Sequence, residues 1–325
     1  MTDPVLLNSQ QMAHFTARGF LRFDAVVPDS INQAFLSEIG AIEEMDEDAG
    51  IHAEDAGMHA EHVGIAEHYA RIMASSAIPV VHAGTLLADA YPPGCALGNL
   101  MALPEVRGTI ESLVGKGCIF DHHFLHVSFP ERFYQAVGRR NVSQHTHQDS
   151  TIDPRRAFDV QIMYFPHEVT REMGGTRFVP GTHLRVVSEA AISRYQNMLG
   201  QQHVVCPAGT LLFMHHGMWH GGGVNLSERM RYMFKIRLCP TVRQTRLWDT
   251  SDLPSNHLEQ RPIFWFKGQP DPEHIHSTLT KPEPWHEQDT GRLEYLNRIR
   301  LWRYLLGDER FDADYWITRV ENEPD

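Results

Sequence analysis

Apolar and polar positions alternate differently in different parts of the chain. In "PDSINQAFLSEIGAIEEM", Ile31, Phe35, Ile39 and Ile42 recur at helical spacing, which predicts a helix with Ser30 as N-cap and Gln33 closing a capping box. The preceding "GFLRFDAVV" reads as a strand. From Cys118 onward the runs are short and rich in β-branched and aromatic residues: "CIFDHHFLHVSFP", "FDVQIMYF", "TRFVPGTH", "HVVCPAGTLLFMHHG" and "RYMFKIRL". Gly and Pro separate them, a pattern that predicts many short strands in a sandwich or barrel. A final stretch, "GRLEYLNRIRLWRYLLG", is patterned as an amphipathic helix that would pack on that barrel.

Parity within one strand is informative. In "RMRYMFKIRL", positions 231, 233, 235 and 237 are mostly basic while 232, 234, 236 and 238 are apolar. Arg231 facing a barrel interior would therefore bring Lys235 and Arg237 to the same face, unless a bulge shifts the register.

Two histidine clusters carry the candidate chemistry. "HTHQD" places His147 and Asp149 two residues apart, so an extended strand presents an imidazole and a carboxylate on one side. One further histidine would complete a two-histidine, one-carboxylate set, which leaves positions open on a non-haem Fe(II). "FMHHGMWHGGG" offers His215, His216 and His220 for that place. His145 competes with Asp149 as the partner of His147, but a cupin-type His-x-His pair needs a glutamate where the chain has Thr151 and Ile152. A zinc hydrolase or isomerase using two histidines and a carboxylate is a second reading, although no His-Glu-x-x-His motif is present. An inactive homologue acting as a binding module is a third. Arg231 favours the iron reading: its planar fork suits the far carboxylate of a dicarboxylate cosubstrate, for which a hydrolase has no use. Arg229 shares its parity and is the alternative clamp.

With these motifs in order, the chain resembles the phytanoyl-CoA hydroxylase (phytanoyl-CoA dioxygenase) family of Fe(II)/2-oxoglutarate-dependent dioxygenases. The resemblance runs through "LLNSQQMAHFTARGFLRF", "HTHQD", "REMGGTRFVPGTHL" and "AGTLLFMHHGMWHGGGVNLSERMRY". It implies a mainly β fold with flanking helices and a double-stranded β-helix (jelly-roll, cupin-like) core. It also implies that His147, Asp149 and His220 bind iron, that Arg231 clamps 2-oxoglutarate, and that Gln161, Met163 and Gly222 line the cosubstrate. Where the family often carries lysine or glutamine on the strand before the His-x-Asp motif, this chain offers His126. Gly209-Thr210 replaces a frequent Gly-Asp, a change confined to a turn. His183 in "PGTH" reads as a turn or rim residue.

The reaction the resemblance implies uses Fe(II) as cofactor, consumes 2-oxoglutarate and O2, and releases succinate and carbon dioxide. It would hydroxylate a small molecule, or desaturate it or close a ring. Retention of Asp149 favours these outcomes over halogenation, where a small residue stands in related enzymes.

Composition narrows the partners. A net charge of −12 argues against nucleic acid or an anionic membrane, and favours a free small molecule over a CoA thioester. No apolar run reaches the length of a membrane span, no signal peptide is evident, and four scattered cysteines fit a reducing cytoplasm. The chain reads as a single domain: residues 1–117 of helix and strand, a core over 118–245, and an aromatic extension with a helix over 246–325. That helix is compatible with a homodimer. The repeat "DAGIHAE"/"DAGMHAE", with His52 and His59, reads as a polar surface helix or cover. Residues 45–75 and the aromatic C-terminal part are the segments expected to close over the site.

Overall fold

A computed structural model of the chain describes residues 2–41, 78–131, 134, 140–149, 156–185, 187–194, 197–255, 257–258, 275–285 and 290–311. The repeat at 48–61 and the expected cover at 45–75 lie outside these.

Among the described residues eight strands form two antiparallel sheets: β1 Phe20–Phe23, β2 Ile119–Ser128, β3 Val160–Phe165, β4 Thr176–Phe178, β5 Gln202–His203, β6 Thr210–His215, β7 His220–Gly222 and β8 Arg231–Cys239. The larger sheet has the order β1-β6-β3-β8-β2 and the smaller β5-β4-β7. The fold is therefore mostly antiparallel β with flanking helices. The larger sheet draws β1 from outside the 118–245 stretch.

The two faces of the larger sheet bury different residues. On one face Ile162, Tyr164, Leu211, Phe213, Tyr232, Phe234 and Ile236 join a core that includes Phe15 and Phe35 from helices α1 (Ser9–Arg18) and α2 (Asp29–Glu38). Tyr164 donates its hydroxyl proton to Asn32 of α2 (2.7 Å), and the Phe35 ring packs against both Tyr164 and Phe234. On the other face Phe20, Met163, Phe165, Leu212, Met214 and Met233 gather with Phe178 of the smaller sheet and with Val204, just after β5. The period-two alternation assigns each residue to its face.

Helix starts differ from the sequence expectation. α2 begins at Asp29 with Pro28 as N-cap and no side-chain cap, so Ser30 and Gln33 lie within the helix and form no box. The proline's fixed φ already suits a helix entrance, and Asp29 supplies the first-turn negative charge. The capping box is instead on α1, where Asn8 and Gln11 each accept from the other's backbone N–H. "GFLRFDAVV" yields only four strand residues, because the chain turns at Asp24 and Ala25.

α1 packs against helices α3 (Ile275–Thr280) and α4 (Thr290–Leu306), the latter being the amphipathic helix expected near the end of the chain. Trp248 and Trp302 meet at 5.6 Å in that interface. Glu294 on α4 is buried, with Oε1 3.4 Å from Arg185 Nε, and burial outweighs the nearby arginines to push its carboxyl up from 4.5 to about 7. The protonated acid is favoured by the folded state. The stability it contributes is complete below pH 4.5 and is lost as pH rises through about 7. Glu294→Gln should flatten that part of the stability profile. Denaturant unfolding of both proteins from pH 4.5 to 8 checks this, the expected sign being a variant that gains on wild type as pH rises.

Candidate metal centre

The segment before Asp149 is held beside β7 by backbone pairing. His147 and His220 exchange N–H···O=C hydrogen bonds at 2.9 Å each way, and Gln144 N–H donates to the Gly222 carbonyl at 3.0 Å. The approach is close enough that a Cβ on Gly221 would meet the carbonyls of His145 at 2.9 Å and Gln144 at 3.0 Å, so glycine is required there. Directly paired residues share a side, and the two imidazoles face each other with ring centroids 4.4 Å apart.

Each ring is turned by its own backbone. His147 Nδ1 donates to the His145 carbonyl (3.1 Å) and His220 Nδ1 to the Met218 carbonyl (2.9 Å), so both Nε2 atoms point inward. Asp149 completes the set, with Oδ1 3.5 Å from His147 Nε2 and Oδ2 3.4 Å from His220 Nε2. The three ligand atoms lie within 4.8 Å of one another, the spacing of a metal-binding group. Two neutral nitrogens and one carboxylate fit a divalent transition metal, with coordination positions left over.

The electrostatics suit that role. Burial alone would raise the Asp149 carboxyl, but the hydrogen bond from His147 and the charges around it hold it far below the ordinary carboxylate range. His220 is pushed down to about 4 by burial, so its ring is neutral at neutral pH. For His147 burial opposes charge, yet the Asp149 and His145 hydrogen bonds prevail and raise its pKa.

The other histidines separate by parity. His216 is buried, has Nε2 3.8 Å from Asp149 Oδ2, and neither ring nitrogen has a hydrogen-bond partner in the protein. His215 points to the opposite face, stacked near Phe15, Phe158 and His183, with Nδ1 accepting from the Gly217 N–H. His183 does lie in a turn, a one-turn 3-10 helix over Thr182–Leu184, but it is buried rather than on a rim: its Nε2 donates to the Thr16 carbonyl of α1 at 3.0 Å. His145 supports the centre through its carbonyl, and its side lines an open cavity of about 460 Å³ with Ala190, Ser193 and Arg194.

Strand β8 supplies the cations. Its pairing with β2 keeps one register from His122 to Ser128, so no bulge turns Arg231 outward from the face of Met233 and Lys235. Arg231 donates to the Met173 carbonyl at 2.9 Å, and burial lowers its pKa only to about 10, leaving it cationic. Lys235, not singled out from sequence beyond its parity, puts Nζ 3.2 Å from Asp149 Oδ2. Arg237 is taken up by Asp159 and Asp121.

Among the remaining expected residues, Gln161 and Met163 share the inner face, opposite Arg237 and Lys235 respectively. Gln161 is fully buried with both amide atoms lacking a hydrogen-bond partner in the protein. Gly222 has its N–H donated to Gln144 Oε1 and its carbonyl accepting from Gln144 N, so its backbone is already engaged. His126 stands opposite Met233 on β2 and is exposed. Arg229 lies before β8 and its carbonyl accepts from Asn225. Among the described residues no helix is long and apolar enough to cross a membrane, and all four cysteines are free.

The model of the phytanoyl-CoA dioxygenase (PhyH) family matches residues 15–233, which takes in His147, Asp149, His220 and Arg231 and stops before Lys235. Comparison with curated proteins finds no match. Among solved structures, AviO1 from Streptomyces viridochromogenes Tue57 is similar at 16% identity and a TM-score of 0.46, over 72% of this chain and 96% of that one. HygX from Streptomyces hygroscopicus, with nickel and 2-oxoglutarate bound, is similar at 13% identity and 0.46, over 74% and 90%. The non-haem α-ketoglutarate-dependent carbocyclase SnoK of nogalamycin biosynthesis is similar at 17% identity and 0.46, over 74% and 87%.

Proposed function

The chain belongs to the phytanoyl-CoA dioxygenase family, and on that premise we propose that it is an Fe(II)- and 2-oxoglutarate-dependent oxygenase acting on a free small molecule. The reaction is hydroxylation, or a desaturation or ring closure, with release of succinate and carbon dioxide. One observation carries the reading: His147 Nε2, Asp149 and His220 Nε2 converge within 4.8 Å on one face, with both histidine Nδ1 atoms already tied back.

In this reading His147, Asp149 and His220 hold the iron. Iron bound with 2-oxoglutarate and O2 supplies the oxidising power to break an unactivated C–H bond. Asp149 meets the metal already ionised and His220 already neutral, so neither must lose a proton first. Arg231, anchored on the Met173 carbonyl, binds the far carboxylate of 2-oxoglutarate through its remaining N–H groups. Gln161 offers its unpartnered amide to the same ligand. Met163, Met233, Leu212 and Met214 keep the floor apolar and exclude water from the reacting region.

The test is an anaerobic titration of the metal-free protein with Fe(II) and 2-oxoglutarate, followed by visible absorption. A weak metal-to-ligand charge-transfer band is expected, and Arg231→Ala should demand roughly ten- to a hundredfold more 2-oxoglutarate to reach it. A folded wild type that binds Fe(II) yet gives no band, and no succinate in air, sinks the oxygenase reading and leaves a zinc enzyme or binding module.

A further inference from the structure

Resting on the oxygenase reading, we propose that Lys235 is a second cosubstrate-positioning cation, which holds the metal-proximal end of the dicarboxylate and couples its binding to that of the metal. Lys235 lies on the inner face of β8, directly opposite Met163 of β3 and Phe124 of β2, with its side chain only 10% exposed. Its Nζ is 3.2 Å from Asp149 Oδ2, the oxygen that also lies 3.4 Å from His220 Nε2. The ammonium therefore sits at the metal end of the inner face.

Arg231 shares this face four residues away, which at the rise of an extended strand puts the two backbones about 13 Å apart. Two cations that far apart, one anchored on the Met173 carbonyl and the other beside Asp149, bracket Met233 on the strand. A short dianion laid along the strand has one carboxylate near each cation and its carbon chain over the methionine. The paired face of β2 offers His122, Phe124, His126 and Ser128, none of them a permanent cation. Strand β8 thus supplies both charges from one surface.

The position of Lys235 has a thermodynamic consequence. With no dianion present, its charge competes with a metal ion for Asp149 and opposes the metal. Once a metal carries a dianionic chelator, the same charge is attracted to the complex. Lys235 therefore disfavours metal alone and favours metal with cosubstrate, and by linkage each ligand strengthens the other. A lysine serving only as a counter-ion for Asp149 would weaken metal binding equally with and without the cosubstrate.

The experiment measures the Co(II) affinity of the metal-free full-length protein with and without 2-oxoglutarate, and the 2-oxoglutarate affinity of the Co(II) form by calorimetry. In wild type, 2-oxoglutarate should tighten Co(II). Lys235→Met should bind Co(II) alone severalfold more tightly, bind 2-oxoglutarate about tenfold or more weakly, and lose most of the coupling. Lys235→Arg should retain it. If Lys235→Met does not fold, judged by its thermal transition, Lys235→Gln makes the same comparison without the charge. Coupling equal to wild type in the neutral variant overturns the assignment while leaving the oxygenase reading intact. A wild type that binds Co(II) but no 2-oxoglutarate overturns that reading, and the Lys235 assignment with it.

Discussion

Asp149→Ala is expected to lose turnover entirely and to weaken metal binding by more than about a hundredfold, since even removing an outer partner of a metal ligand costs 10–100-fold. It removes the carboxylate that lies between the two histidines. A second effect belongs to the metal-free protein. Lys235 would be left largely buried without its counter-charge, at a cost of about 1–3 kcal/mol after allowing for the partial exposure of Asp149. Adding Lys235→Met to Asp149→Ala should recover much of that stability while leaving metal binding lost. Chelator competition reads the first effect and denaturant unfolding of the four proteins in the cycle reads the second. Metal affinity close to wild type in Asp149→Ala would remove the carboxylate from the ligand set.

Gly174→Ala should be the most damaging single-methyl change near the site. Gly174 has φ +62°, a region costly for any residue with a Cβ, and the added carbon would land on the Val224 carbonyl. The backbone on both sides is pinned: Gly174 N–H donates to the Arg171 carbonyl at 3.2 Å, and Gly223 N–H to the Gly175 carbonyl at 3.1 Å. The expected loss is about 3–5 kcal/mol, or roughly 10 °C in the unfolding midpoint. The neighbouring Met173 carbonyl anchors Arg231, so 2-oxoglutarate affinity should fall in parallel. A variant within a degree or two of wild type would mean that this seam yields more readily than its packing implies.

Legibility of the chain in sequence followed the range of the interaction concerned. The His147/Asp149 pair could be read because its members stand two residues apart, although His147 makes only an isolated β-bridge and Asp149 lies at a bend, and the faces of β8 because its alternation is sharp. The start of α2 was obscured because Ser30 and Gln33 satisfy a capping-box spacing that the chain does not use once Pro28 has opened the helix. The actual box at Asn8 and Gln11 has equally local spacing but an amide in place of the more familiar hydroxyl. The turn at His183 could be read because Gly181 opens it, at φ +80°, but the burial of the ring could not. Its burial comes from α1, some 167 residues away in sequence. The approach of Lys235 and His216 to Asp149 depends on three separated segments meeting, and no local pattern encodes that.

The split personality of β8 bears on how such a protein can diverge. Tyr232, Phe234, Ile236 and Leu238 hold the sheet to its helices, whereas Met233 lies on the reactive side with Arg231 and Lys235. Drift at Met233, or at Met163 and Leu212 beside it, can reshape what the interior admits while the helix-facing positions preserve the architecture. Loss of one residue within the strand is a different event. Every side chain beyond the lesion would change sides, sending Lys235 in among the helices and a phenylalanine or isoleucine toward Asp149 and His220. Point substitutions in this strand are therefore a gradual route to new substrates, and a single-codon deletion is a dead end.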